Sequence, residues 1–246
     1  EWCRYSKETK NYKTIVTALK NGSRVVAGHN YGDLSADYYM DAIEEAMEKS
    51  PEITLDYVRS LRLSMDHGGL YPRPDQLPRI KKLGMILGMG SAALSRSLPW
   101  IQKYGFEKYQ GWVMPTKRAL DAGIKVAWEG EGGVDNGLFS LMVPFITRKN
   151  KQGLTIAADQ AVDRNTVLKM ATAWGSEYLL KEDELGSLEL GKSADLLVLN
   201  HDWFTVPEED LDHTFPLLTV MGGEIRYLRD EFAQELGMDP VGYQIR

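Results

Sequence analysis

The sequence predicts an α/β fold in which a parallel sheet, built from βα units, is followed by a small β module. Up to about residue 155, short apolar runs alternate with amphipathic stretches, which is the pattern of strands connected by helices. Beyond that point, short β-type segments are separated by glycines instead of helices. A hydrophobic content of 43% over 246 residues is sufficient for a substantial core.

Four βα units can be traced in the first part of the chain. The predicted strands are residues 24–28, 61–66, 85–87 and 124–128. After the first strand, Ala36, Met40, Ile43 and Met47 recur at helical spacing and define the buried side of a helix. Further helices are predicted at residues 75–83 and 116–122.

The second part of the chain begins with one long helix and continues as a β module. The helix is predicted over residues 166–180, and the β segments are residues 196–199, 217–220 and 224–227. Gly222 and Gly223 separate the last two segments and predict a hairpin. We therefore expect an α/β region over 1–180, a β segment over 181–228 and a polar, irregular tail over 229–246.

Composition restricts the classes of partner. The net charge is −6 and no basic stripe is present, so nucleic acid is not an expected partner. Apolar runs stay well short of the roughly 18 residues of a membrane span, so no membrane association is expected either. The single cysteine, Cys3, excludes an internal disulfide framework and fits a cytoplasmic location.

Three side chains are predicted to meet at one edge of the parallel sheet. His29 and His67 each follow a predicted strand directly, and Glu131 lies just past the fourth. Because the carboxyl ends of parallel strands gather at one edge, these residues can converge there. Two imidazoles and a carboxylate suit a divalent metal, which lowers the pKa of a bound water. The pattern therefore indicates metal-dependent hydrolysis.

Each of these residues also has an ordinary structural interpretation. A single histidine at a strand end usually serves as a hydrogen-bonding residue. Because two histidines occur at equivalent positions on successive strands, the metal-ligand interpretation becomes as good as the structural one. Asp33 could orient His29 or the substrate, but an aspartate after Gly32 is equally typical of a turn or a helix cap. Asp66 is expected to point away from His67 if the strand is regular, as a surface or loop charge.

Two other motifs are interpreted as structural. Residues 88–93 satisfy the pattern G-x-G-x-x-A, with Glu107 at a distance suited to a ribose contact. A dinucleotide site is disfavoured because Pro99 interrupts the helix that should follow, and because the strand is third rather than first. His201 and His213 lie in the β module, where a structural role is expected.

Aromatic residues cluster between the third and fourth strands. They are Trp100, Tyr104, Phe106, Tyr109 and Trp112. The cluster could form a lid over an apolar substrate, but packing against the sheet is the favoured interpretation.

Several segments resemble passages of one enzyme family. Residues 186–199, GSLELGKSADLLVL, resemble the passage GSLEPGKLADLVVL that leads from the barrel of an amidohydrolase to its small β-sandwich. Residues 171–175 resemble the T-x-x-x-A helix of that family, and residues 220–225 its V-x-G-G hairpin. Residues 29–33, His-Asn-Tyr-Gly-Asp, are similar to the H-x-x-G-D-x-A stretch of a subgroup that includes N-substituted formamide deformylases and D-aminoacylases.

This resemblance implies a TIM-like (β/α)8 barrel with a metal centre. It assigns His29 and His67 to the ligands on strands five and six. The family's His-x-His pair has no counterpart here, so the chain is expected to be the C-terminal half of the barrel, strands five to eight, with part of the β-sandwich. The first half would come from the same gene product or from a partner subunit, and an oligomer is expected. The resemblance implies one or two divalent ions, zinc above all.

The family's strand-eight aspartate, which binds metal and acts as general base, has no direct counterpart. Glu131 falls in register with it, although Glu129 or Asp135 could substitute. The expected function is hydrolysis of an amide, formamide or related C–N bond in a small molecule by metal-activated water, with Glu131 transferring the proton. The alternative is a non-catalytic barrel half that serves as a subunit or substrate-binding partner.

Overall fold

The computed structural model describes residues 6–26, 28–131 and 137–244. Cys3 and Asp135 lie outside the described residues, as does Ala27 in the first predicted strand.

The first sheet has four parallel strands in chain order. They are β1 (Gly28–His29), β2 (Ser64–Asp66), β3 (Ile86–Gly90) and β4 (Val126–Glu129), arranged β1-β2-β3-β4. The register pairs Gly28 with Met65, Ser64 with Ile86, and Gly88 with Ala127. The α/β class and the parallel arrangement predicted from the sequence are confirmed.

Helices surround and connect these strands. Those of the first part are α1 (Lys10–Lys20), α2 (Asp33–Lys49), α3 (Leu55–Leu61), α4 (Leu77–Lys82), α5 (Ala92–Arg96), α6 (Leu98–Tyr104), α7 (Phe106–Tyr109) and α8 (Thr116–Asp121). They are followed by α9 (Gly137–Ser140), α10 (Val143–Thr147), α11 (Arg164–Ala171), α12 (Ala173–Tyr178) and α13 (Asp230–Leu236). Among the described residues, none of these helices has the length and apolar character needed to cross a membrane.

The first two strands are shorter than predicted. Residues 24–26 form no strand, and here the Arg24 side chain contacts the neighbouring segment: Nε donates to the Leu61 carbonyl at 2.5 Å and Nη2 to the Arg62 carbonyl at 3.0 Å. Leu61 itself ends α3, and Arg62 follows in the left-handed region with φ of 44°. A run of apolar residues is compatible with helix, loop or strand, and for this reason the sequence pattern predicted strand at residues that lie in a loop or at the end of a helix.

The long helix predicted over 166–180 is interrupted at Thr172. Its φ and ψ of −121° and −92° are not helical, and it separates α11 from α12. The Thr172 hydroxyl donates to the Leu168 carbonyl at 2.6 Å. A threonine hydroxyl that bonds to a carbonyl four residues earlier bends helices. The bend brings the end of α12 back to the sheet.

The two faces of β2 have different neighbours. Met65 lies in the core with Met40 and Ile43 of α2. On the other face, Ser64 Oγ donates to the Tyr178 hydroxyl at 2.8 Å, which donates to Asp66 Oδ1 at 3.1 Å. Asp66 is half-buried, so its interpretation as a surface or loop charge is wrong.

The β module is a three-stranded antiparallel sheet. Its strands are β5 (Leu196–Leu199), β6 (Pro216–Met221) and β7 (Glu224–Leu228), in that order. Gly222 and Gly223 have φ of 59° and 81°, as a tight hairpin turn requires. The hairpin prediction is confirmed. The tail is not irregular throughout: it contains α13, which buries Ala233 and ends at Gly237 in the left-handed region.

Candidate metal centre

His29, His67 and Glu131 lie at the carboxyl edge of the parallel sheet, together with Glu129. His29 ends β1, His67 follows β2, and Glu129 ends β4. The elements that position them are therefore the strands themselves. The structure brings the three predicted residues together and adds Glu129, which the sequence offered only as an alternative to Glu131.

His67 is the centre of this group. Its Nδ1 lies 2.5 Å from Glu129 Oε1 and 3.4 Å from Glu131 Oε2. On the other side of the ring, Nε2 lies 3.0 Å from Nδ1 of His29. His67 is buried, whereas His29 is exposed. Both ring nitrogens of one buried histidine thus face side chains that can bind a metal.

The backbone of His67 is held in an unusual conformation. Its φ of 84° departs from the β region, a departure that costs on the order of 1–3 kcal/mol for a residue with a side chain. The His67 amide donates to Glu129 Oε2 at 2.8 Å, and its carbonyl accepts from the Gly90 amide at 3.3 Å. Such a conformation persists only where surrounding contacts enforce it, and it is common at functional sites.

The donor set fits a divalent metal ion. Ligand atoms of His67, Glu129 and Glu131 lie within 4.8 Å of one another. The His67 Nδ1 atom is buried and has no partner in hydrogen-bond geometry among the described residues, despite its short distance to Glu129 Oε1. A buried ring nitrogen that makes no hydrogen bond and faces two carboxylates is available to a metal ion. Imidazole with carboxylates suits zinc and similar ions.

Burial favours the neutral form of His67, although the carboxylates of Glu131 and Asp66 act against it. Burial lowers the pKa of His67, and the neighbouring His29 lowers it further. Burial raises the pKa of Glu129, assisted by the charge of Glu131, although the hydrogen bond from the His67 amide opposes the rise. Burial also acts to raise the pKa of Glu131, but the hydrogen bond and charge of Arg96 outweigh it and the pKa is lowered. A neutral imidazole is the form that binds metal.

Two residues of the site were missed in the sequence analysis. Arg96 Nη1 bonds Glu131 Oε2 at 2.8 Å and the Tyr31 hydroxyl at 2.7 Å. The ring of Tyr31 stacks on His67 with centroids 4.9 Å apart. Tyr31 comes two residues after His29, and Arg96 lies six residues after β3. Their location shortly after a strand of the parallel sheet was the sequence feature that could have indicated them.

Asp33 does not join this group. It is the first residue of α2, where its carboxylate pairs with Arg73 at 3.2 Å and its carbonyl accepts from Gln76 Nε2 at 2.8 Å. An acid in the first turn of a helix is favourable. Of the two interpretations left open for Asp33, these contacts favour the structural one.

The glycines of the G-x-G-x-x-A pattern face side chains across the sheet. A Cβ at Gly88 would lie 2.6 Å from Asp66 Oδ1, so this position has no space for a side chain. Helix α5 is only five residues long and ends before Ser97. The first glycine is therefore explained by its packing against Asp66.

The aromatic cluster divides into an exposed and a packed part. Trp100 and Tyr104 are 54% and 63% exposed and stack with centroids 6.4 Å apart. Phe106 and Tyr109 pack against the core. The favoured interpretation, packing against the sheet, holds for Phe106 and Tyr109 and is wrong for Trp100 and Tyr104.

A sequence profile of the amidohydrolase family matches residues 1–227. The chain belongs to the amidohydrolase family. It is 26% identical to an N-substituted formamide deformylase of Arthrobacter pascens over 232 residues, which are 92% of this chain and 40% of that protein. It is 34% identical to a 5-methylthioadenosine/S-adenosylhomocysteine deaminase of Thermodesulfovibrio yellowstonii over 94 residues, 38% of this chain and 21% of the deaminase.

Solved structures of hydrolases share the fold of this amidohydrolase chain. An uncharacterized metal-dependent hydrolase from Pyrococcus horikoshii OT3 superposes with a TM-score of 0.64 at 21% identity, over 80% of this chain and 39% of its own. A mutant atrazine chlorohydrolase from Arthrobacter aurescens TC1, complexed with zinc and atraton, gives 0.56 at 20% identity, over 87% and 46%. The chain spans less than half the length of each of these relatives.

Proposed function

We propose that this chain supplies metal ligands and a general base to a hydrolase that cleaves a C–N bond in a small molecule. The observation that carries the proposal is the convergence of Glu129, Glu131 and His29 on the two ring nitrogens of His67. Membership of the amidohydrolase family supports the reaction class.

Two ways of holding the metal are compatible with these contacts. His67 could bind through Nδ1 together with Glu129 and Glu131, whose oxygens lie beside it. It could instead bind through Nε2 with His29, whose Nδ1 lies 3.0 Å away, because imidazole nitrogens are common ligands of zinc. Zinc is the ion we assign, since imidazole and carboxylate ligands suit it.

A divalent ion held here would lower the pKa of a coordinated water and polarise the carbonyl of the substrate. The two glutamates have different environments. Glu131 is held in its charged form by Arg96, which suits a ligand. Glu129 is more buried and its pKa is raised, which suits a group that accepts a proton at Oε1 and returns it to the leaving nitrogen. The general-base role predicted for Glu131 is therefore assigned to Glu129.

The substrate class proposed is an amide, a formamide or a related C–N compound. Two of the relatives are named as an N-substituted formamide deformylase and as a 5-methylthioadenosine/S-adenosylhomocysteine deaminase, and both names denote reactions at carbon–nitrogen bonds. Because the chain matches less than half of each relative, we propose that an N-terminal barrel half, on the same polypeptide or on a partner subunit, completes the pocket.

Metal analysis of the purified native assembly tests the proposal. We expect zinc to be bound, to be lost in His67→Ala, and to be retained in Glu107→Gln, which alters an exposed carboxylate that bonds to Gln110 outside the site. Hydrolysis of a panel of N-substituted formamides and amides should follow metal content. A native assembly free of metal would overturn the proposal and favour the non-catalytic, substrate-binding alternative.

A further inference from the structure

Arg148 is a fully buried arginine whose guanidinium, within the part of the chain that the structure describes, binds only backbone carbonyls. Nε donates to Ile156 at 3.0 Å, Nη1 to Met114 at 2.9 Å and Nη2 to Val113 at 2.8 Å. Its relative exposure is 0%. Among the described residues, no carboxylate forms an ion pair with it, although the charge of Asp159 acts to raise its pKa.

Burying a guanidinium without a carboxylate is costly. Burial lowers the pKa of Arg148 to about 10, and an apolar side chain of similar size would avoid the desolvation penalty altogether. The three hydrogen bonds offset part of that penalty. Packing alone does not require a guanidinium at this position. We infer that its planar set of donors serves to hold specific carbonyls in place.

Two of the three carbonyls that Arg148 holds, those of Val113 and Met114, belong to a segment that is bonded to the residue after His67. Met114 has a φ of 45° and is fully buried, and its amide donates to the Gly68 carbonyl at 2.7 Å. Gly68 follows His67 directly, and both residues have positive φ, 64° and 84°. A Cβ at Gly68 would lie 2.8 Å from Met89 Cγ, so this turn is tightly confined.

We propose that Arg148 is a positioning residue for His67, acting through Met114 and Gly68. The guanidinium fixes Val113 and Met114, the Met114 amide fixes the Gly68 carbonyl, and that bond holds the strained backbone of His67 in the conformation that directs its ring towards Glu129 and His29. The inference rests on the proposed metal site, in which His67 is the central ligand. Arg148 itself contacts none of the site's side chains and no reacting atom.

Zinc affinity and spectroscopy of folded variants test this role. Arg148→Met removes the fork at nearly constant length, and Arg148→Lys keeps the charge with fewer donors. Arg164→Met is the matched control, because Arg164 Nη1 also donates to two carbonyls, those of Trp203 at 2.9 Å and Val206 at 2.6 Å, in another part of the chain. The zinc dissociation constant is measured by competition with a chelator, the ligand geometry by the visible spectrum of the cobalt form, and folding by melting temperature.

We expect Arg148→Met to weaken zinc binding roughly 10- to 100-fold, as loss of a residue supporting a ligand does. The cobalt spectrum should change, and Arg148→Lys should lie between wild type and Arg148→Met. Arg164→Met should lower the melting temperature without changing zinc affinity. If Arg148→Met is not recovered folded, Arg148→Lys decides the question.

Unchanged zinc affinity and an unchanged cobalt spectrum in a folded Arg148 variant would make Arg148 a purely structural residue and overturn the inference, leaving the metal site intact. An equal loss of zinc affinity in Arg164→Met would also overturn the inference that Arg148 positions His67. If the wild type binds neither ion, the proposed function and this inference both fail.

Discussion

His67 depends on its neighbours in three distinct ways. Glu129 binds its amide and also approaches its ring, Glu131 approaches the same ring nitrogen, and His29 contacts the opposite nitrogen. A single histidine therefore couples both glutamates to the strand-end histidine. Removing one glutamate should consequently affect a different property from removing the other.

The two glutamates give the first prediction. Glu129→Gln should lower kcat by about 10²- to 10⁴-fold, as loss of a general base does, while much of the bound zinc is retained. Glu131→Gln should mainly weaken zinc binding, because it removes a charged ligand. Steady-state kinetics at saturating zinc, together with metal analysis, separate the two effects. Glu107→Gln is the control for neutralising a carboxylate outside the site. If Glu131→Gln lowered kcat and Glu129→Gln weakened zinc binding instead, the general-base role would belong to Glu131.

The sequence predicted part of this site and left part of it open for a physical reason. Histidines directly after apolar strands are detectable because parallel strands end at one edge. The choice between Glu129 and Glu131 depends on how the chain leaves β4, and the sequence does not fix that path. Arg96, at the end of α5, reaches Glu131 in the loop after β4, and no local pattern reveals this contact between residues 35 positions apart.

At the scale of elements, the close packing of β3 on β2 makes a second prediction. Gly88 and Gly90 occupy alternate positions of β3, but a Cβ at Gly88 would lie 2.6 Å from Asp66 Oδ1, whereas one at Gly90 would be 3.6 Å from the nearest Glu129 atoms. Gly88→Ala should therefore displace Asp66 from Tyr178 and lower the free energy of unfolding by about 1–3 kcal/mol. Gly90→Ala should change it much less.

Urea denaturation of the two variants tests this prediction. Equal stability of Gly88→Ala and Gly90→Ala would contradict the packing explanation of the glycine pair. A shift of melting temperature by NAD in the wild type would instead revive the dinucleotide interpretation.

An ion pair joins Arg62, the residue that follows α3, to Glu182 in the segment after α12, and it gives a third prediction. Arg62 donates to the Glu177 carbonyl at 2.9 Å and pairs with Glu182, and the Arg62 hydrogen bond lowers the pKa of Glu182 from 4.5 to about 2. Because the folded pKa lies below the unfolded one, the stabilisation is fully present above pH 4.5 and is lost as the pH falls towards 2. The pair is a third exposed, so it contributes about 1 kcal/mol or less.

Glu182→Gln should therefore lower the free energy of unfolding at pH 7, and the difference from wild type should shrink below pH 4.5. Denaturation at pH 7 and pH 3 measures both quantities. Glu184→Gln, which breaks the more exposed pair with Lys181, is the matched control and should have a smaller effect at pH 7. A difference between wild type and Glu182→Gln that grows on acidification would contradict the assignment.

For the whole molecule, the number of strands could be predicted from the sequence, but the path of α12 could not. Apolar alternation located four parallel strands and the hairpin, since both are local patterns. The return of Tyr178 to Ser64 and Asp66 joins residues more than 110 positions apart and depends on a bend at Thr172. Periodicity predicted one straight helix there because the apolar spacing continues through the bend.

Over the described ranges each sheet has two edge strands, of which β7 is bonded on its outer side only through Leu228, to Val241, and this determines the last prediction. Within the described residues, β1 and β4 each pair with a single neighbouring strand, as do β5 and β7. Unpaired strand edges next to exposed apolar side chains favour association with further strands. Leu190, Leu188 and Met221 in and beside the β module are 106%, 72% and 56% exposed.

We therefore expect the purified 246-residue chain to self-associate at micromolar concentration, and to bind zinc more tightly when a polypeptide supplying the complementary strands is added. Light scattering gives the mass of the particle, to be compared with 27.7 kDa for one chain. Leu190→Lys, an exposed substitution beside the β module, should reduce self-association without changing the secondary structure, and Leu34→Lys on α2, 52% exposed, is its control. A monomer that melts cooperatively and binds zinc tightly by itself would show that neither sheet needs a partner.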